Sequence, residues 1–267
     1  MGDPAHVKKE TSMFTHALVR KPGPNFNQGL TTSLLGTPSY TLIRKQHDAY
    51  VAALGKLGLE MILLDPQPDF PDAYFVEDTA VVTPEVAVIT IPGASSRQGE
   101  QYSIESALSQ FRKIEKIQAP GTVDGGDVLM AGDRFIIGIS ERTNAEGAHQ
   151  LGAILESYGY VWDTISVGEG LHLKSSINFV GKNTLILTPP FQHLHLFDSF
   201  DKIVLDEAET YAANTLWVND SLIMPEGFPV AKEKLSRLGL PIIELDVSEV
   251  AKMDGGLTCL SLRFQLG

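Results

Sequence analysis

Short apolar runs come in pairs along this chain. Each pair brackets a turn rich in Gly, Pro, Asn or Asp, which is the pattern of a β-hairpin. Four hairpins are readable: residues 79–90 around Thr83-Pro84-Glu85, 127–140 around Ala131-Gly132-Asp133, 177–188 around Gly181-Lys182-Asn183, and 214–224 around Asn219-Asp220. Helical spacing follows each hairpin. Over 98–114 it is carried by Ile104, Ala107, Leu108 and Phe111, and over 143–158 by Ala148, Leu151, Ile154 and Leu155. A shorter helix is predicted over 230–238, and the weakest over 193–200. A lone strand closes each unit, at 114–119, 161–167, 203–206 and 242–247.

The chain ends supply a fifth unit. Residues 16–20 read as a strand, 41–56 as a helix and 61–64 as the strand after it. The apolar run 258–264 is the strand left without a partner. Pairing it with 16–20 completes a fifth hairpin and joins the ends. The unit is ββαβ, repeated five times, and closure removes the open sheet edges. The fold class is therefore α/β, a five-bladed pseudo-symmetric propeller. A doubly wound sheet would alternate single strands with helices instead. Residues 13–267 are read as one catalytic domain, and the polar stretch 1–12 as a loose arm.

Composition narrows the chemistry. The single cysteine, Cys259, rules out an intrachain disulfide and points to a reducing, cytoplasmic setting. No apolar run is long enough for a membrane-spanning helix. A net charge of -12 argues against a nucleic-acid partner and favours a cationic ligand. There is no G-x-G-x-x-G and no phosphate-binding G-x-x-x-x-G-K-[ST], so dinucleotide and P-loop chemistry lack support. Neither C-x-x-C nor H-E-x-x-H occurs, and one Cys-His pair is too few ligands for a closed zinc site.

Each repeat has one loop leading from the lone strand into the next hairpin. Equivalent loops of a ring lie around one axis at one end. That places Glu77, Asp78, Asp124, Asp127, His172, Asp254 and Cys259 around a common cavity. Taken singly, Cys259 reads as core packing and Asp124-Gly125-Gly126-Asp127 as a turn. Their joint occurrence in equivalent loops favours chemistry. Carboxylates match the paired N–H groups of a guanidinium, a thiolate is a strong nucleophile, and a histidine can protonate a leaving amine. Together they suit substitution at the central carbon of an amidine.

Phe75-Val76-Glu77-Asp78-Thr79-Ala80-Val81-Val82, Asp124-Gly125-Gly126-Asp127-Val128-Leu129, Arg142-Thr143-Asn144, Gly170-Leu171-His172-Leu173-Lys174-Ser175 and Leu257-Thr258-Cys259 resemble, in order and spacing, the dimethylarginine dimethylaminohydrolases. Those belong to the amidinotransferases and deiminases, the pentein fold. The resemblance implies hydrolysis of Nω-methylated arginine to citrulline and a methylamine through a covalent thiouronium on Cys259. It implies His172 as general acid and base, and Asp124 as the carboxylate orienting it. Asp78, with Glu77 beside it, would grip the guanidinium. Arg97 and Arg142 would hold the α-carboxylate. Asp72 and the backbones of Leu30 and Asp254 would lie near the amino-acid end. Residues 25–35 would form a mobile lid. No metal or organic cofactor is implied, and the expected assembly is a monomer or homodimer. Arginine, agmatine and citrulline are alternative substrates on the same machinery, and a non-catalytic propeller binding a macromolecule is the alternative from another class. One departure stands out: Ile91 sits beside the Pro92–Arg97 turn where relatives carry a basic residue.

Overall fold

The computed structural model describes residues 13–168 and 172–266. The arm expected at 1–12, and Gly170 and Leu171 of the third loop, lie outside them. Strand β1 (His16–Arg20) leads through α1 (Tyr40–Lys56) to β2 (Glu60–Leu64). Hairpin β3 (Ala80–Val82)/β4 (Val86–Ile89) is followed by α2 (Gln101–Leu108) and β5 (Lys113–Lys116). Hairpin β6 (Val128–Ala131)/β7 (Arg134–Ile139) is followed by α3 (Ala145–Ser157) and β8 (Val161–Ser166). Hairpin β9 (Ile177–Phe179)/β10 (Thr184–Leu187) leads to β11 (Asp201–Val204). Hairpin β12 (Leu216–Val218)/β13 (Ser221–Pro225) leads through α4 (Pro229–Ser236) to β14 (Ile242–Leu245), then to α5 (Ser248–Ala251) and β15 (Leu262–Phe264).

These strands form five three-stranded sheets, one per predicted unit. In every sheet the middle strand pairs antiparallel with its hairpin partner and parallel with the strand after the helix. The fifth unit closes as predicted: β1 pairs antiparallel with β15, with Leu18 opposite Leu262. The middle strands are continuous apolar runs because both faces are covered. All four residues of β4 and of β10 are buried. The outer strand β8 has no fully buried residue. The turns obey local sterics. Asn219 and Asp220 both have positive φ (47° and 58°), the conformation of a two-residue I′ hairpin.

Helix boundaries depart from the periodic pattern where local chemistry intervenes. The helix expected over 98–114 is only α2. Gly99, at φ 124°, breaks it from a preceding 3-10 turn, Ser95–Arg97. Helix α3 starts late because the Asn144 side chain accepts the Gly147 N–H (2.7 Å) and caps it. The weak helix over 193–200 is replaced by two 3-10 turns, Pro189–Phe191 and His195–Phe197. None of the described helices is long and apolar enough to cross a membrane.

Closure rests on β15. Phe264 is buried, stacks on His16 and tilts against Phe111, each at 5.7 Å between ring centres. Phe264→Ala is expected to cost about 3–5 kcal/mol. A fall in the urea midpoint of unfolding would show it; an unchanged midpoint would mean the seam contributes little.

Candidate active site

Each of the five loops ends in a 3-10 turn immediately ahead of a hairpin strand or of β15. These turns are Val76–Thr79, Gly125–Asp127, Leu173–Ser175, Glu207–Ala213 and Thr258–Leu260. Successive turns touch one another around the axis. The repeat thus delivers its polar side chains to one place.

Cys259 and His172 line a single small pocket. Its other walls are Leu30, Asp72, Phe75, Asp78, Arg97, Arg142, Met253, Asp254 and Gly255. The volume is only about 30 Å³, room for one water and not for an amino acid. Segment 25–35 closes it. Leu30 N–H donates to both oxygens of Asp72 (3.2 and 3.0 Å). Thr32 donates to Asp254 through its N–H (2.5 Å) and its hydroxyl (3.0 Å). Leu34 and Leu35 are exposed on this segment, while Phe26 at its start is buried in the core and Thr31 donates to Lys252 O (2.9 Å).

His172 Nε2 lies 3.0 Å from Asp124 Oδ2. The other Asp124 oxygen accepts the Gly93 N–H (2.8 Å), and the Thr143 hydroxyl accepts the Asp124 N–H (3.1 Å). Burial disfavours the imidazolium, but Asp78, Asp124 and Asp127 outweigh it and raise the ring to about 9. It is a protonated acid at neutral pH. Asp127 does not face the pocket. It ties the loops together, accepting from Leu173 N–H (2.9 Å), Ser140 (2.6 Å) and Thr143 (2.7 Å). Gly126 is required by crowding: a Cβ there would stand 2.8 Å from the His172 ring and 3.0 Å from Asp78 Oδ1.

Asp78 is a buried carboxylate that accepts from Gly126 N–H (2.9 Å) and Arg97 Nη1 (2.6 Å). Burial opposes its ionisation, but His172 and Arg97 prevail and hold it near 2. Arg97 is less free than a carboxylate clamp would be. Its Nε and Nη2 are held by Glu100, and Nη2 also donates to Phe75 O (3.0 Å). Arg142 has no ion-pair partner among the described residues and remains the available cation on the wall.

Besides Asp127, the structure departs from expectation at Cys259 and Glu77. Cys259 lies in a 3-10 turn rather than in a strand over 258–264. Asn214 bends the backbone there: its Oδ1 accepts the Thr258 N–H (3.0 Å) and its Nδ2 donates to Lys174 O (3.2 Å). Glu77 does not line the Cys-His pocket. Its carboxylate pairs with Lys174 (2.6 Å), with Arg263 at 3.8 Å, and lines a cavity of about 730 Å³ that contains neither Cys259 nor His172. Phe75, Met253, Gly255, Lys174, Asn214 and Glu100 had no assigned role in the sequence reading. Lys174 and Asn214 stand in the predicted loops, but nothing local marks Glu100.

Asp78, Asp124 and His172 bring one donor atom each within 4.8 Å of one another. The Asp78 and Asp124 oxygens already accept from Arg97, Gly126 and Gly93 or face the His172 ring, so the three side chains form one hydrogen-bonded acid-base network. Burial and the carboxylates of Glu77 and Asp78 push the Cys259 thiol up to about 12, against a backbone hydrogen bond from Gly256 and the charge of Lys174. The resting pocket therefore pairs a neutral thiol with an imidazolium among carboxylates. A cation arriving beside the sulfur would shift that balance toward thiolate.

A closed α/β propeller whose axial pocket joins Cys, His and carboxylates is the architecture of guanidine-modifying enzymes. The arginine deiminase family model matches residues 41–202. The chain belongs to the arginine deiminase family and, within it, to the dimethylarginine dimethylaminohydrolases. It is 46% identical to N(G),N(G)-dimethylarginine dimethylaminohydrolase of Pseudomonas aeruginosa, over 94% of this chain and 100% of the relative. It is 38% identical to the enzyme of that name from Streptomyces coelicolor, over 93% and 96%. A solved structure of a Pseudomonas aeruginosa variant complexed with citrulline superposes with a TM-score of 0.93 at 45% identity, covering 94% of this chain and 100% of that one. The N-terminal domain of a cyanobacterial arginine dihydrolase shares the fold, with a TM-score of 0.85 at 18% identity.

The free thiol should titrate above the ordinary value of about 8.5. Thiolate absorbance near 240 nm, followed against pH without ligand, measures it. Glu77→Gln, which removes a charge and frees Lys174, should lower the midpoint. A midpoint below 7 in the parent would contradict this electrostatic picture.

Proposed function

We propose that Cys259, His172 and Asp124 carry the reaction by which this enzyme hydrolyses Nω-methylated arginine to citrulline and a methylamine. The observation that carries the assignment is the shared pocket of Cys259 and His172, with Asp124 3.0 Å behind the imidazole. Asp78 receives the substrate guanidinium. The incoming cation offsets the carboxylates that keep Cys259 protonated, and the thiol releases its proton to solvent on binding. The thiolate attacks the central carbon. His172, already protonated, gives its proton to the departing amine, leaving a thiouronium on sulfur. The neutral imidazole then takes a proton from water, which adds to the same carbon. Collapse expels the thiolate and leaves the ureido group of citrulline. No step calls for a metal or organic cofactor.

Arg142 binds the α-carboxylate, with Arg97 a lesser contributor because its donors are already engaged. Asp72 and Asp254 act on the amino-acid end, and on the lid through Leu30 and Thr32. With the pocket this small, the lid opens to admit substrate and closes to exclude water. Glu77 contributes through its charge near the sulfur and its pair with Lys174, not by touching the guanidinium. The substrate is a small arginine derivative. The carboxylate-binding wall favours an amino acid over agmatine.

Cys259→Ser should abolish citrulline release from asymmetric dimethylarginine while retaining binding measured by calorimetry. Normal turnover by the serine variant would sink the nucleophile assignment. Arg142→Ala should raise KM about tenfold or more with a smaller change in kcat, as expected for a group that binds ground and transition states alike. Equal kcat/KM of the parent for methylated arginine and methylated agmatine would argue against a carboxylate site.

A further inference from the structure

Glu100 has no part in the chemistry above, yet it is among the most deeply buried charges in the molecule, 1% exposed. It stands just ahead of α2 and faces Arg97, three residues earlier. Arg97 Nε is 3.2 Å from each Glu100 oxygen, and Nη2 is 2.8 Å from Oε2. The opposite edge of the same guanidinium gives Nη1 to Asp78 at 2.6 Å. Arg97 therefore bridges two carboxylates. One lines the pocket; the other, Glu100, does not.

Charge counting gives this arrangement a consequence. A lone Arg97–Asp78 pair would be neutral, and Asp78 would hold little attraction for a second cation. With Glu100 included, one positive and two negative groups leave a net single negative charge. In a buried site that residual charge acts strongly on an incoming guanidinium. We propose that Glu100 is a positioning residue for cation recognition: by taking up Arg97, it leaves the charge of Asp78 available to the substrate guanidinium. This rests on the reading that Asp78 receives that group.

The argument separates ligands that differ only in charge. Arginine carries a guanidinium. Citrulline, with the same amino-acid end, carries a neutral ureido group. If Glu100 supplies charge, its loss weakens arginine and spares citrulline. If it only holds Arg97 and the wall in shape, both ligands weaken together. Burial raises Glu100 to about 7 despite Arg97, so measurements at pH 8 keep its carboxylate ionised.

In the Cys259→Ser background, which prevents turnover, calorimetry at pH 8 compares arginine with citrulline for the parent, Glu100→Gln, Glu100→Asp and Asp78→Asn. Glu100→Gln should weaken arginine roughly tenfold and leave citrulline within about twofold. Glu100→Asp, which keeps the charge, should keep the parental ratio of the two affinities. It serves as the deciding variant should Glu100→Gln not fold. Equal weakening of both ligands, no change in either, or a shifted ratio in Glu100→Asp overturns the proposal. If Asp78→Asn leaves arginine binding intact, the assignment of Asp78 fails, and this inference with it. If Asp78→Asn weakens arginine while Glu100→Gln does not, only the role of Glu100 fails.

Discussion

The ionised carboxylate of Asp78 is the constraint around which the pocket is organised. A buried anion is unstable unless charge and hydrogen bonds surround it. Here a cation lies on each side, Arg97 in contact and His172 facing it, and a backbone N–H from Gly126 completes the shell. Each partner is fixed in turn. Arg97 is held by Glu100, and His172 by Asp124. The turn bearing Gly126 is held by Asp127, which also fixes the loops of Thr143 and Leu173. His172, Asp78 and the pocket wall form one electrostatic unit.

That unit explains why Cys259 rests as a thiol. Carboxylates suited to a cationic substrate are adverse to a thiolate, and burial adds to the effect. The same groups hold His172 in its protonated form. Attraction for a cation and protonation of the sulfur thus share a cause, and in the proposed mechanism substrate binding relieves the second by satisfying the first.

The propeller makes the unit possible with little machinery. Five equivalent 3-10 turns converge on the axis, so residues 181 positions apart in the chain (Asp78 and Cys259) line one pocket. The covered middle strands give the turns rigid footing. Segment 25–35 is anchored by the buried Phe26 and bonds to Asp72 and Asp254 at the pocket wall.

Hairpin pairs, helical spacing and the unpartnered run before the last residues were enough to determine the ring, its five units and its closing seam. They also brought Cys259, His172, Asp124 and Asp78 to one end, because equivalent positions of a repeat are equivalent in space. Side-chain direction was a different matter. Glu77 and Asp78 are neighbours in the chain, yet one faces Lys174 and the larger cavity and the other lines the pocket of Cys259 and His172. No local pattern sets Glu100 against Arg97, and the apolar run that reads as a strand at Cys259 is bent into a turn by Asn214. Periodicity records which way the backbone repeats. Which partner a buried charge finds is a contest among groups distant in sequence, and only the folded ring brings those groups within reach.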